Sequence, residues 1–173
     1  MQKIVPRFIE YIVEADKTWQ ERGEYYKAAA GILPICTTTG RLLLFLRKFV
    51  EGDPDSGKWS LAGGMMNEKE LEMNVNVGSR ECALREFTEE TGSTDVFDRI
   101  MASYVYASPD SSFHYYNFIG LVTEEFEPKL NEEHTDCKWF SVADLKLIPR
   151  DEFHFGVKLL FANDENNIKK YTK

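Results

Sequence analysis

Apolar residues recur at Ile4, Val5, Phe8, Ile9, Ile12 and Val13. That spacing marks one helical face and predicts an amphipathic helix over residues 4–19, with Pro6 in its first turn. The pattern then changes. Lys27 to Cys36 and Arg41 to Phe49 are apolar with few breaks, and Thr37-Thr38-Thr39-Gly40 reads as a turn joining them into a hairpin. Glu51 to Lys58 reads as a polar loop, and Trp59-Ser60-Leu61 as a short strand ending at Gly63-Gly64. Residues 65–77 read as an acidic, Asn-rich loop, and Gly78 to Thr91 as a helix. Ile100 to Ala107 and Phe113 to Val122 read as strands flanking a turn over residues 108–112. Cys137 to Phe140 reads as a short strand, and Ser141-Val142-Ala143-Asp144 as a capping box opening a short helix. Phe153 to Ala162 reads as a last amphipathic helix, and the final ten residues as a polar, frayed tail. Strands interrupted by helices, with hairpins among them, predict an α/β fold with a mixed sheet covered by helices.

At 173 residues the chain fits one domain spanning 1–173, with residues 1–22 as a helical extension and 164–173 as the polar tail. Hydrophobic residues make up 43%, a normal value for a domain with its own core. No apolar run approaches a membrane span, and Met1 to Pro6 lacks the apolar stretch of a secretory signal. The expectation is a soluble, cytoplasmic protein with no membrane partner. Cys36, Cys82 and Cys137 form neither a zinc spacing nor a disulfide framework and read as buried free thiols. A net charge of −8 argues against binding a nucleic-acid duplex. It leaves room for a small anionic substrate, because a bound cation reverses the local sign.

The chemistry concentrates in Arg85-Glu86-Phe87-Thr88-Glu89-Glu90-Thr91-Gly92. On a helix Glu86 faces Glu89 and Glu90, and each like-charge pair costs roughly 0.2–0.5 kcal/mol. Gly92 reads as the C′ stop, so Glu89 and Glu90 sit in the last turn, where the macrodipole disfavours each anion by about 0.3–1 kcal/mol. On a helical wheel Leu84 and Phe87 share one side, with Ala83 at its edge, and the three glutamates fall roughly opposite. By itself such a run is usually a solvated face. Here Gly63-Gly64 precede it, and glycine lets backbone approach a ligand closely. Hard divalent cations take oxygen ligands of this kind.

These residues resemble the Nudix signature: Gly, five residues, Glu, seven residues, then Arg-Glu-apolar-x-Glu-Glu-x-Gly-apolar. Residues 85–92 fit its second half, with Ser93 where an apolar residue is usual. Gly64 and Glu70 fit its first half. The wider pattern is similar from about Ala28 to Phe161, including Leu42 to Arg47, Trp59 to Gly64 and Trp139-Phe140. The departure is in the middle, where fourteen residues rather than seven separate Glu70 from Arg85. Cys82-Ala83 keep the helix in register, so the extra residues are assigned to the loop 65–77.

The resemblance implies an α/β/α sandwich and hydrolysis of a nucleoside diphosphate linked to another group, with Mg²⁺ or Mn²⁺ as cofactor. It implies that Glu86, Glu89 and Glu90 hold the metal with the Gly64 carbonyl. Arg85 ties the helix to the loop through a carboxylate, with Glu70 preferred over Glu68 and Glu72. Family members take the catalytic base either from the box or from a later loop, which points to Glu89 and to Glu133, with Glu132 second. Arg47, Gly63 and Pro109 face the substrate on this reading. Pro109 lies sixteen residues past Ser93, similar to ADP-ribose pyrophosphatases, although Asp110 stands where those have Gly. An ordinary Pro-Asp turn explains the same residues. The alternating Phe113, Tyr115, Tyr116 and Phe118 read first as core packing and second as a base or ribose pocket. His134 is a candidate proton carrier by residue type but reads first as a surface or hydrogen-bonding histidine.

Three functions follow from the resemblance. The first is a metal-dependent pyrophosphohydrolase of ADP-ribose or a related nucleotide sugar. The second is a hydrolase of nucleoside triphosphates or dinucleoside polyphosphates. The third is a nucleotide-binding Nudix domain without catalysis. An acidic α/β protein with no metal site is the bland alternative. The expected partner is a small nucleotide. The N-terminal helix is left either covering its own sheet or contacting a second subunit of a homodimer.

Overall fold

β1 (Lys27–Cys36) is buried at nine of its ten positions. Such a continuous apolar run suits a strand covered on both faces. In the structure, a computed structural model that describes residues 27–172, β1 lies at the centre of a seven-stranded mixed sheet. The helix expected over residues 4–19, and with it the 1–22 extension, lies outside the described residues. One edge of β1 runs parallel to β6 (Phe113–Val122) along its whole length, from Lys27↔Phe113 to Cys36↔Val122. The other edge is shared. β4 (Ala62–Met65) pairs antiparallel with its first half, from Ala29↔Met65 to Ile32↔Ala62. β2 (Leu42–Arg47) meets it at Ile35↔Leu42, across the predicted turn.

β2 continues away from β1 to pair with β3 (Trp59–Ser60) and β7 (His134–Phe140). The β3–β4 segment therefore crosses from β2 to β1 and carries Gly63 and Gly64 into the fork between them. β5 (Arg99–Ala107) closes the far edge against β6.

Helices cover both faces. α1 (Glu68–Glu72) and α2 (Val75–Thr91) follow β4. α2 sets Cys82, Ala83 and Phe87 into a core with Ala28, Ala30, Ile32, Phe45 and Tyr116. The short alanines of β1 leave room for a helix at this face. α3 (Val142–Leu145), α4 (Phe155–Asn163) and α5 (Glu165–Tyr171) serve the opposite face. There Leu145, Val157, Leu160 and Ile168 pack with Leu33, Ile35, Leu42, Leu44 and Ile119. Among the described residues no helix is long and apolar enough to cross a membrane. Of the three thiols, Cys36 and Cys82 are buried and Cys137 half-buried, all free.

Two expectations are corrected. Residues 65–77 are not a plain loop. Asn67 Oδ1 accepts the Glu70 N–H at 2.9 Å while the Glu70 carboxylate accepts the Asn67 N–H at 2.9 Å, a capping box that starts α1. Asn74 caps α2, which begins at Val75, three residues before Gly78, and Val75 enters the core. The insertion is thus mostly helix. The polar tail is also folded. Ile168 is buried and Tyr171 packs beside it, an i,i+3 pair that docks α5 on the second core. An ion pair from Lys169 to Glu165 at 2.7 Å supports its outer face.

Candidate active site

Arg85, on α2, gathers the carboxylates. Its Nε and Nη2 donate to the two oxygens of Glu70 at 2.7 and 3.1 Å, a bidentate pair. Nη1 donates to Glu86 at 2.7 Å and to Glu89 at 3.2 Å. Nη2 also donates to the Met65 carbonyl at 3.0 Å. One guanidinium thus joins three glutamates and the β4–α1 connection. Burial raises the Glu70 pKa, but the Arg85 hydrogen bonds and the Asn67 N–H outweigh it, so Glu70 is held below its ordinary value. The inserted α1 therefore does not displace the acid. It delivers Glu70 to Arg85 from its first turn.

Glu86 sits on the other side of the balance. Burial raises its pKa against the pull of Arg85, and Glu89 and Glu133 raise it further by repulsion. Its carboxylate lies over Gly64, where a Cβ would come within 2.5 Å of the carboxylate carbon. A side chain at Gly64 would push that carboxylate out of its place. Glu89 projects outward, its side chain 56% exposed.

Glu90 departs from the helical-wheel expectation. It is 1% exposed and belongs to the buried face with Ala83 and Phe87, not to a solvated face with Glu86 and Glu89. Its Oε1 accepts the Gly63 N–H at 3.2 Å, and its Oε2 pairs with His134 Nε2 at 2.7 Å. Burial raises its pKa, with those two hydrogen bonds opposing. His134, read from the sequence first as a surface or hydrogen-bonding histidine, is buried and hydrogen-bonded, and no spacing in the sequence marks Glu90 as its partner.

A second group of side chains approaches from β2 and the loop after it. Arg47 Nη2 lies 3.4 Å from Asp53 Oδ2. His154 caps α4 by accepting the Gly156 N–H at Nδ1, 3.2 Å away, and its Nε2 lies 3.5 Å from Asp55 Oδ2. Phe155 packs against His154, Tyr106 and Tyr115. Tyr115 is buried against Gly31 and Gly63. Burial raises its pKa, Glu90 and Glu86 raise it too, and Arg47 lowers it. Tyr115 thus lies within electrostatic reach of both the carboxylates and the cationic Arg47.

Burial lowers the His154 pKa from 6.5 to about 4, opposed by Asp55. Between those values the unfolded chain binds a proton that the folded chain excludes, so stability falls as pH drops through that window. The loss is on the order of 2–3 kcal/mol. His154→Asn keeps an acceptor at the helix cap and removes the titration. Denaturant unfolding at pH 7 and at pH 4.5 is expected to show a smaller acid loss in the variant. Equal losses would contradict this assignment.

The other candidate residues are placed as follows. Glu133 stands exposed just before β7, with its carbonyl accepting the Lys48 N–H at 2.8 Å. Its charge is felt at both Glu86 and Glu90. Glu132 is exposed beside it. Pro109 lies at the exposed tip of the β5–β6 hairpin, where Asp110 accepts from Ser108 Oγ at 2.6 Å and from the Ser112 N–H at 3.1 Å. That is the ordinary turn, and no contact joins Pro109 to the carboxylates among the described residues.

Among the described residues no three His, Cys, Asp or Glu side chains form a ready-made metal cage. The donor chemistry nonetheless fits a hard cation. The group is all-oxygen, the Gly64 cradle holds the Glu86 carboxylate against backbone, and each carboxylate has about four lone-pair sites, of which Glu90 uses two here.

Comparison with known proteins agrees with this architecture. No curated protein matches the chain. A Nudix hydrolase structure from Nitrosomonas europaea is 25% identical, with TM-score 0.54, and the match covers 78% of this chain and 66% of that one. A MutT Nudix hydrolase from Burkholderia pseudomallei is 23% identical, with TM-score 0.57, over 81% of this chain and 98% of that one. The NUDIX domain of Shewanella oneidensis NrtR, solved with ADP-ribose, is 18% identical, with TM-score 0.62, over 95% and 98% of the two chains. The family model for the NUDIX domain matches residues 25–161. With that match spanning the sheet, the carboxylate helix and most of α4, the chain belongs to the Nudix family.

Proposed function

We propose that this protein is a Mg²⁺- or Mn²⁺-dependent hydrolase that cleaves the diphosphate bond of ADP-ribose or a closely related nucleotide sugar. The observation that carries the metal reading is the Glu86 carboxylate, seated over Gly64 and repelled by Glu89 and Glu133, the second of which is also felt at Glu90. A bound divalent cation would neutralise the substrate diphosphate and lower the pKa of an attacking water. Glu86, Glu89 and Glu90 would hold it, with the Gly64 carbonyl. Arg85 keeps Glu86 and Glu89 turned the same way through Nη1. Glu133 is our choice as the base. Its backbone is pinned to β2, and its carboxylate has no hydrogen-bond partner among the described residues, whereas Glu89 is held by Arg85.

On this reading Arg47 would supply a cation to the diphosphate, and Gly63 would allow a close backbone approach. The ADP-ribose choice rests on two weaker supports: the ligand of the NrtR domain and the neighbouring rings of Tyr106 and Phe155. The test is a panel of ADP-ribose, nucleotide sugars, dinucleotides and triphosphates with Mg²⁺. AMP released from ADP-ribose supports the reading. Turnover of triphosphates or polyphosphates alone replaces the substrate class. In the same samples Mg²⁺ is expected to raise the melting temperature, since a ligand at 100 times its Kd stabilises the native state by about 2.7 kcal/mol.

A further inference from the structure

The C-terminal end of α2 is stitched to the segment that leads into β7. Lys129 N–H donates to the Thr91 carbonyl at 2.8 Å, and Asn131 N–H to the Glu90 carbonyl at 3.1 Å. Helix ends leave such carbonyls without partners of their own. The third stitch is a side chain. His134 Nε2 meets Glu90 Oε2 at 2.7 Å, both residues nearly fully buried. With Glu90 ionised, as a metal ligand must be, its Oε2 accepts and His134 Nε2 carries the hydrogen. Nδ1 has no partner among the described residues, and the ring packs on Phe45 at 5.4 Å between centroids. Among the described residues this buried imidazole has one polar contact, to Glu90.

The backbone around it is equally constrained. His134 pairs with Arg47 across the β2–β7 ladder, and Lys48 N–H holds the Glu133 carbonyl. His134 therefore bonds one carboxylate through its side chain and follows directly on Glu133, whose position the backbone fixes.

We infer that His134 is a positioning residue that acts through Glu90: its Nε2–H sets the Glu90 carboxylate plane, so the cation affinity of the site depends on it. This rests on the metal-site reading above. Partners that orient metal-binding carboxylates typically contribute 10–100-fold in affinity or activity.

The test is Mn²⁺ binding by the full chain, followed by the loss of the free Mn²⁺ signal in electron paramagnetic resonance. His134→Phe removes the donor and keeps a flat ring. It is expected to weaken Mn²⁺ binding by about 10-fold or more while remaining folded. His134→Gln, whose amide nitrogen reaches the place of Nε2, is expected to stay within about 3-fold of wild type. Should His134→Phe fail to fold, the smaller His134→Leu carries the same test. Wild-type affinity in the folded Phe or Leu variant would overturn the inference, as would weak binding in a folded Gln variant. Wild-type protein that binds Mn²⁺ with this pattern but hydrolyses nothing would sink the hydrolase reading alone. Wild-type protein that binds no Mn²⁺ would sink both.

Discussion

Gly63→Ala is expected to lower the melting temperature by about 5–10 °C, one of the largest stability losses available outside the cores. A Cβ at Gly63 would overlap the Ala30 carbonyl oxygen and lie 2.6 Å from the Gly31 Cα and 2.9 Å from the Tyr115 hydroxyl. Two of those three neighbours are backbone atoms of the central strand, fixed on their other edge by ten registered residues of β6. They have no room to yield. Overpacking of this kind costs roughly 1–3 kcal/mol, and the upper end applies where backbone is struck. The shift also strains the Gly63 N–H bond to Glu90. Gly156→Ala is the control, because its nearest neighbour would be His154 Nδ1 at 3.3 Å and the rest lie beyond 3.6 Å. Thermal unfolding of both variants checks the contrast. Equal melting temperatures would show that β1 and β4 are not held together as described.

Glu86→Gln is expected to cost at least about 10³-fold in hydrolysis, the rate equivalent of the several kcal/mol that a bound cation contributes. It is not expected to cost stability without metal. Burial, and the nearby charges of Glu89 and Glu133, disfavour the ionised form of Glu86 in the folded chain. A neutral amide of the same shape escapes those penalties and can still accept from Arg85. The variant in chelator should therefore melt at or above the wild-type temperature. Glu70→Gln should behave in the opposite way, since Glu70 is held below its ordinary pKa by Arg85 and Asn67 and its charge supports the fold. Paired activity and melting measurements separate a residue kept for chemistry from one kept for structure. Activity retained in Glu86→Gln would remove the central ligand of the proposed site.

The parts of this protein that the sequence announces are those governed by nearest neighbours along the chain. The β1–β2 hairpin follows from two apolar runs and the Thr37–Gly40 turn, and the carboxylate helix from its Gly92 stop, which adopts a left-handed φ of 63°. The Arg85–Glu70 distance was open to motif arithmetic because Gly64 and Glu70 keep their family spacing. What the sequence hides is decided between distant segments. Glu90 reads as a surface acid until Gly63, from β4, and His134, from β7, arrive on its two oxygens. α5 reads as a tail because its polar residues outnumber its apolar ones, yet Ile168 and Tyr171 dock it on the second core. The insertion reads as loop because the Asn67–Glu70 capping box is short and the same glutamate is claimed by Arg85.

The central claim is cation-dependent cleavage of a diphosphate, and phosphorus magnetic resonance on ADP-ribose tests it most directly. With Mg²⁺ the two coupled diphosphate resonances should disappear as two phosphomonoester resonances grow, and chelator should stop the change. Cleavage that continues at the same rate in chelator would contradict the account, and so would an unchanged spectrum with Mg²⁺ for ADP-ribose and every other nucleoside diphosphate derivative tried.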